Sequence, residues 1–520
     1  MIEKYLLNGF YPKQLMGGIN MKNKKTMIIA SIIMIMMICA AFTVKTFQND
    51  TYYTIKIGES ILEHGIDMKD HFSWHELDYT YPHWLFDILV YKIYDLGGLN
   101  AIYITNIIIF MIIGILFYFI NLKQNKSYFL SLLFSILTVI MLARFVTMRA
   151  QLITYLLFLL EILFIEQLLK NGKKGYIIGL MLLCVLIANI HAAVWPFYFI
   201  LMLPYLFEYL VALIKDKTKN SQPLGISNNR IIVEKNPYIK TLFIVFLVSL
   251  PLGLLTPIGD IPYTYFIRTM MADTMEYIDE HKPLALIENL FVMGYLAIML
   301  VPLIFTKVKV KLSDLAMMGG LLLMSFMSIR HIALLAIIGM FYLCRVICNL
   351  GKINGDKPLD YNLPWYGIGI VTLTIIGTSI FVYNINYKEA FINDGIYPVA
   401  MVDYMKENLE MDKVRLYNEY DFGSYLIYRD IPVFIDSRSD LYTKSFNNKN
   451  DIFNECMNIT EHYGRIFKKY DITHILIYRD TYLNQILAIS SNYELIKREG
   501  RFMLYEYTAN KEKEETEQTA

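Results

Sequence analysis

Long apolar runs broken by short polar turns dominate the chain. A bilayer core takes about 20 apolar residues per helix. Runs of about that length fall at 26–46, 98–121, 127–144, 150–170, 175–190, 193–214, 239–257, 285–306, 313–328, 331–349 and 363–384. They predict about eleven transmembrane helices, those at 175–190 and 313–328 being the shortest. The first run is too long for a signal-peptide core and lacks a small-x-small cleavage site, so it reads as an uncleaved anchor.

From about residue 390 the pattern changes. Residues 399–409, 422–428, 457–469 and 481–489 have helical character, while 414–418, 433–436, 474–478, 493–499 and 502–507 read as strands. Strands alternating with helices predict a small α/β sheet. The expected fold is an α-helical polytopic membrane domain followed by a small extracytoplasmic α/β domain. The expected divisions are a cytoplasmic segment at 1–25, a transmembrane domain at 26–385 with a long outward loop at 47–97, the α/β domain at 386–510, and a disordered tail at 511–520.

Composition agrees with a membrane chain. Of 520 residues, 56% are hydrophobic and 18% charged, against about 45–50% and 25% in soluble domains. The net charge of +1 gives no reason to expect nucleic acid as a partner. Five cysteines form no disulfide framework and read as small buried hydrophobes.

The placement of basic residues sets the orientation. Lys4, Lys13, Lys22, Lys24 and Lys25 precede the first run. Lys123 and Lys126 follow the second, and Lys170, Lys173 and Lys174 the fourth. Lys215, Lys217, Lys219 and Arg230 follow the sixth, Lys307, Lys309 and Lys311 the eighth, and Arg345, Lys352 and Lys357 the tenth. The N-terminus and these loops are expected in the cytoplasm of a plasma-membrane protein, and the C-terminal domain outside.

Polar residues at the outer boundary are the candidates for chemistry. Within the acidic, aromatic first loop, residues 53–65 predict a short helix lying along the membrane surface. Asp50, just past the first run, is placed to hold a divalent cation, to take a proton, or simply to be solvated. Arg144 and Arg149, then Arg330 and His331, break the positive-inside pattern. Such arginines grip a lipid-linked phosphate through paired N–H groups, or snorkel to ordinary head groups. Asn189 and His191 join the same layer, as a cavity wall or an interhelical hydrogen bond. In the loop at 258–284, which includes Asp273, Glu276 and Glu280 share a face if helical. They then form either a second acidic element over the cavity or a solvated connector. Asn418, Glu419, Asp421, Asp436, Arg438 and Asp440 cluster after strand ends, where open α/β sheets bind ligands and where loops are also capped.

The pieces Asn49-Asp-Thr-Tyr-Tyr53, Ile61-Leu-Glu-His-Gly65, Asp70-His-Phe-Ser73 and Tyr81-Pro-His-Trp-Leu85 resemble the first external loop of GT-C glycosyltransferases, nearest in style to the oligosaccharyltransferase catalytic subunit. Tyr420-Asp-Phe-Gly423 is weakly similar to that subunit's Trp-Asp-Tyr-Gly motif. With Arg149-Ala-Gln-Leu152, Asn189-Ile-His191 and Ser328-Ile-Arg-His331, the set is similar to a large group of glycosyltransferase-like bacterial membrane proteins. The resemblance implies a polyprenyl-phosphate-linked sugar as donor, a cell-envelope glycan, lipid or protein as acceptor, membrane lipid as surroundings, and Asp50 as metal ligand or base. It implies a substrate-binding set of Tyr53, His83, Arg144, Arg149, Gln151, Asn189, His191, Glu280, Arg330, His331, Asn418, Asp421, Asp436 and Arg438. Where the oligosaccharyltransferase carries an acidic metal-binding motif in its second loop, this chain has Arg144 and Arg149. That departure argues against N-glycosylation. It leaves two alternatives, a divalent cation or a metal-independent inverting transfer with Asp50 as base. The competing expectation is a non-catalytic membrane protein that binds lipid-linked saccharide or scaffolds envelope assembly.

Overall fold

The computed structural model describes residues 21–217, 230–272, 274, 276–353 and 365–508. Lys4, Lys13, Lys219, Asp273, Lys357 and the tail at 511–520 lie outside the described residues.

Helices occupy every apolar run, but their lengths differ from the expectation. Among the described residues, six are long and apolar enough to cross a membrane, for example Lys24–Phe42, Trp84–Asn125 and Ala150–Asn171. Four more are apolar but shorter: Lys174–Ile190, Ile239–Leu254, Leu290–Phe305 and Leu312–Met327. Helix Trp365–Tyr387 follows. Helix length therefore does not establish eleven full crossings. The run at 239–257 shows why, since its α-helix ends at Ser249 and a 3-10 turn containing Pro251 takes over. Proline lacks the N–H that would continue the ladder.

The first loop departs most from a simple reading. Its helix runs Asn49–His64, starting four residues earlier than the apolar spacing indicated, with Asp50 in its first turn. A carboxylate there is favoured by the helix dipole. This helix packs into the body of the protein. Thr51–Ile55, Ile57, Gly58, Ser60 and Ile61 are buried, walled by the start of Trp84–Asn125 on one side and by Gly423–Tyr428 on the other. Gly58 makes that approach possible, because a Cβ there would sit 2.1 Å from the Asp87 carbonyl oxygen. The long helix Trp84–Asn125 breaks at Gly97 and Gly98, where φ at Gly98 is +61°. The expected outward loop thus ends in a helix of its own.

Beyond residue 390, helix Val399–Asn408 leads into a four-stranded sheet with strand order Leu416–Asn418, His474–Tyr478, Phe502–Tyr507, Tyr493–Glu499. The first pair is parallel and the other two are antiparallel. The run at 433–436 is buried as expected but is no strand of this sheet. Val433 bridges Ser73 of the first loop and donates its N–H to Phe72 O at 3.1 Å. A short apolar run fixes burial but not its backbone partner.

The first loop and the C-terminal region are joined throughout. Buried Arg438 pairs with Asp436 at 2.7 Å and with Asp70 of the first loop at 2.6 Å. Trp74 Nε1 donates to Leu416 O at 3.3 Å, and Asn49 Nδ2 to Tyr420 O at 3.2 Å. Buried apolar residues form one continuous core from the helical bundle into this region. All five cysteines are buried and unpaired.

Candidate active site

Two cavities meet beside Asp50. The larger, about 850 Å³, is lined by Arg144, Phe145, Glu280, Tyr397, Asp421 and Arg501, among others. The smaller, about 440 Å³, is lined by Tyr53, His83, Tyr265, Arg438 and Asp440, among others. Asp50, Arg149, Gln151, His191, Arg330 and His331 line both and form the wall between them.

Arg149 is the hub of this wall. It immediately precedes helix Ala150–Asn171, in extended backbone. Its Nε sits 2.8 Å from Asp50 Oδ2, and one terminal nitrogen sits 2.8 Å from Glu280 Oε1. Burial alone would raise the Glu280 carboxyl, but Arg149 and then Arg330 outweigh it and hold the group below its ordinary value. Glu280 lies in a 3-10 turn, Asp279–His281, rather than on a helix with Glu276. Only Glu280 of that expected pair reaches the cavity, and Glu276 is exposed.

Burial and nearby positive charge disfavour the charged forms of His281 and His191. Arg330 donates to His281 Nε2 at 2.8 Å, while His281 Nδ1 faces Thr274 Oγ1 at 2.9 Å. Burial and the Arg330 charge push His281 down to about 4. His191 Nδ1 lies 3.0 Å from Thr154 Oγ1, whose proton goes to Ala150 O, so the ring donates to the hydroxyl. Burial, then His83, Arg330 and Arg149, hold His191 well below the ordinary histidine value. Arg149 is balanced by Asp50 and Glu280, while Arg330 and Arg144 also line the larger cavity and bring positive charge suited to an anion.

Of the residues expected to bind substrate, most converge here, and three do not line either cavity. Asn189 donates to Val185 O at 2.8 Å and to Leu255 O at 2.9 Å, which is the interhelical alternative. Asn418 is wholly buried; it donates to Ile435 O at 2.7 Å and accepts from Phe434 N–H at 2.9 Å. Asp436 is wholly buried against Arg438 and Tyr442. Arg438 touches the smaller cavity, but its nitrogens are taken up by Asp436 and Asp70. These polar groups hold loops together, as buried polar groups must find partners.

Sequence reasoning gave no site role to Asp87, His281, Tyr397 or Arg501, whereas Asp440, one of the residues grouped after strand ends, does line the smaller cavity. Asp440 accepts a hydrogen bond from Tyr265, while its Oδ1 is buried with no partner among the described residues. The spacing His83-x-x-x-Asp87 was the one legible signal, since i and i+4 share a helix face. Arg501 stacks on Tyr478 at 4.5 Å from 23 residues further along, which no local pattern shows. Among the described residues, no group of three or more His, Cys, Asp and Glu side chains is disposed to hold a metal ion.

A multi-pass helical bundle, a long first loop folded over it and an appended sheet together make a fold shared with a solved membrane protein, ArnT. The chain superposes on ArnT from Cupriavidus metallidurans in the apo state with a TM-score of 0.50 and 11% identity, covering 93% of this chain and 98% of that one. The crystal structure of ArnT from the same organism bound to undecaprenyl phosphate gives a TM-score of 0.47 and 12% identity over 94% and 98%. No protein-family model and no curated protein matches the chain.

Proposed function

We propose that the protein transfers a sugar from a polyprenyl-phosphate-linked donor to a cell-envelope acceptor at the outer face of the plasma membrane. In this reading the N-terminus is cytoplasmic, and the region from about residue 386 is an extracytoplasmic α/β domain, as the basic loops require. The observation that carries the reading is the wall where Asp50 meets Arg149, with Arg330 and His191 beside it. Such an arrangement serves a displacement at a sugar carbon whose leaving group is a phosphate. Arginines stabilise the charge that develops on the departing oxygen. Asp50 is the carboxylate of the reacting centre, facing the positive charge that builds on the sugar ring. The larger cavity, flanked by Arg144 and Arg149, takes the donor phosphate, and the smaller takes the acceptor.

The test uses the full chain in lipid nanodiscs with a panel of polyprenyl-phosphate sugars and envelope acceptors, following release of polyprenyl phosphate. Release that requires an acceptor is expected. Tight donor binding with no release for any acceptor would instead support the binding-protein reading. No binding by any donor would overturn both.

A further inference from the structure

We propose that His83, held by Asp87, is the base that takes the acceptor's proton; this rests on the glycosyl-transfer reading above. Pro82 and His83 lead into helix Trp84–Asn125, and Asp87 lies one turn on. His83 Nδ1 lies 2.9 and 2.8 Å from the two carboxylate oxygens of Asp87. The Asp87 side chain is 0% exposed and that of His83 14%, so the carboxylate is sealed in and the ring is reachable. A carboxylate on Nδ1 fixes the tautomer, with the proton on Nδ1 and the lone pair on Nε2. Among the described residues, the polar neighbour of Nε2 is the Tyr53 hydroxyl at 3.4 Å. That contact is long enough for an acceptor hydroxyl to replace it.

Position in the two cavities separates His83 from Asp50. His83 lines the smaller cavity and not the larger, whereas Arg144 lines the larger and not the smaller. In an inverting displacement the incoming hydroxyl and the leaving group occupy opposite faces of the sugar, so base and phosphate-binding groups must do the same. Asp50, bonded directly to Arg149, lines both cavities and so lies in the dividing wall. His83 sits across the wall, its ring centroid 6.4 Å from that of His191.

The step balances as follows. The acceptor O–H gives its proton to His83 Nε2 while the acceptor oxygen forms the bond to the anomeric carbon. The bond from that carbon to the phosphate oxygen breaks, and its electron pair leaves with polyprenyl phosphate beside Arg149 and Arg330. The imidazolium, paired with Asp87, then returns its proton to water. Groups that influence the His83 charge are Tyr53, Asp87, His191 and Asp440, with Arg438 acting on Asp87.

The test compares the native chain with H83Q and D87N in nanodiscs, reading donor binding, kcat, KM and the pH profile of transfer. H83Q should bind donor as the native protein does and lose about 10²–10⁴-fold in kcat, together with the acid limb of the pH profile. D87N should keep an acid limb but displace it, with KM for the donor unchanged; a merely structural Asp87 would lower the amount of folded protein without moving the limb. Full kcat with the acid limb intact in H83Q would overturn the assignment and leave the glycosyl-transfer reading standing. No transfer by the native chain with any donor would overturn both.

Discussion

Arg438 is predicted to lock the first loop, and therefore Asp50 and His83, onto the C-terminal region. Its guanidinium makes bonds of 2.8 and 2.7 Å to Asp436 and 2.6 Å to Asp70, and it lies over the rings of Tyr79 at 5.1 Å and Phe72 at 5.4 Å. Side-chain exposure is 3% for Arg438 and 0% for both carboxylates. R438M keeps most of the volume but strands two buried carboxylates, which costs about 3–5 kcal/mol. D70N keeps a neutral acceptor and loses one charge-assisted bond, about 1.5–3 kcal/mol. R438M/D70N should cost less than the sum, because the two residues share one network. A multi-pass chain need not unfold in one step, so the assay must be local. Hydrogen exchange in nanodiscs, read on peptides covering 67–83 and 430–445, reports that opening directly. At 1.36 kcal/mol per tenfold, R438M should speed exchange there roughly 10²- to 10⁴-fold, with the bundle helix Ala150–Asn171 unaffected. Unchanged exchange in both segments would refute the idea that this cluster holds the loop.

Further outcomes follow from the same contacts. G58A places a methyl group 2.1 Å from the Asp87 carbonyl oxygen. It should separate the helix carrying Asp50 from the one carrying Asp87, lowering both thermal stability and transfer; a stable, fully active G58A protein would contradict that packing. Burial, then Asp421, pushes the Glu419 carboxyl up to about 8, partly offset by the Tyr478 N–H. A raised folded-state value means that Glu419 supports the fold at low pH and that this support is lost as pH rises through about 8. E419Q should therefore gain stability relative to the native chain between pH 5 and 9, and a difference that stays flat across that range would argue against it.

Much of the bundle was legible because a bilayer imposes a strong signal of length and apolarity on each helix. Crossing number was less so, since Pro251 and the 3-10 turn around it shorten a run that looks continuous in sequence. The first loop misled in a different way. Helical spacing at 53–65 identified one apolar side, but burial of both sides depends on Gly423–Tyr428, some 360 residues further on. Arg149 and Arg330 could be singled out because they break the positive-inside pattern, and Asp50 and His191 because they are polar at the same outer boundary. Asp436 and Arg438 looked equally functional from their place after strand ends, yet they satisfy each other. Only the partner at Asp70, distant in sequence, separates a binding arginine from a clamp. The His83–Asp87 pair was visible as spacing, but its isolation in the smaller cavity was not.

The central claim is that the Asp50–Arg149 wall is the reacting centre of a lipid-linked glycosyl transfer. The most direct measurement is single-turnover release of polyprenyl phosphate from a bound polyprenyl-phosphate sugar on addition of an acceptor that supports transfer, comparing the native chain with D50N in nanodiscs at matched donor occupancy. Retained donor binding with release abolished in D50N is the predicted result. Release at the native rate from D50N would contradict the account.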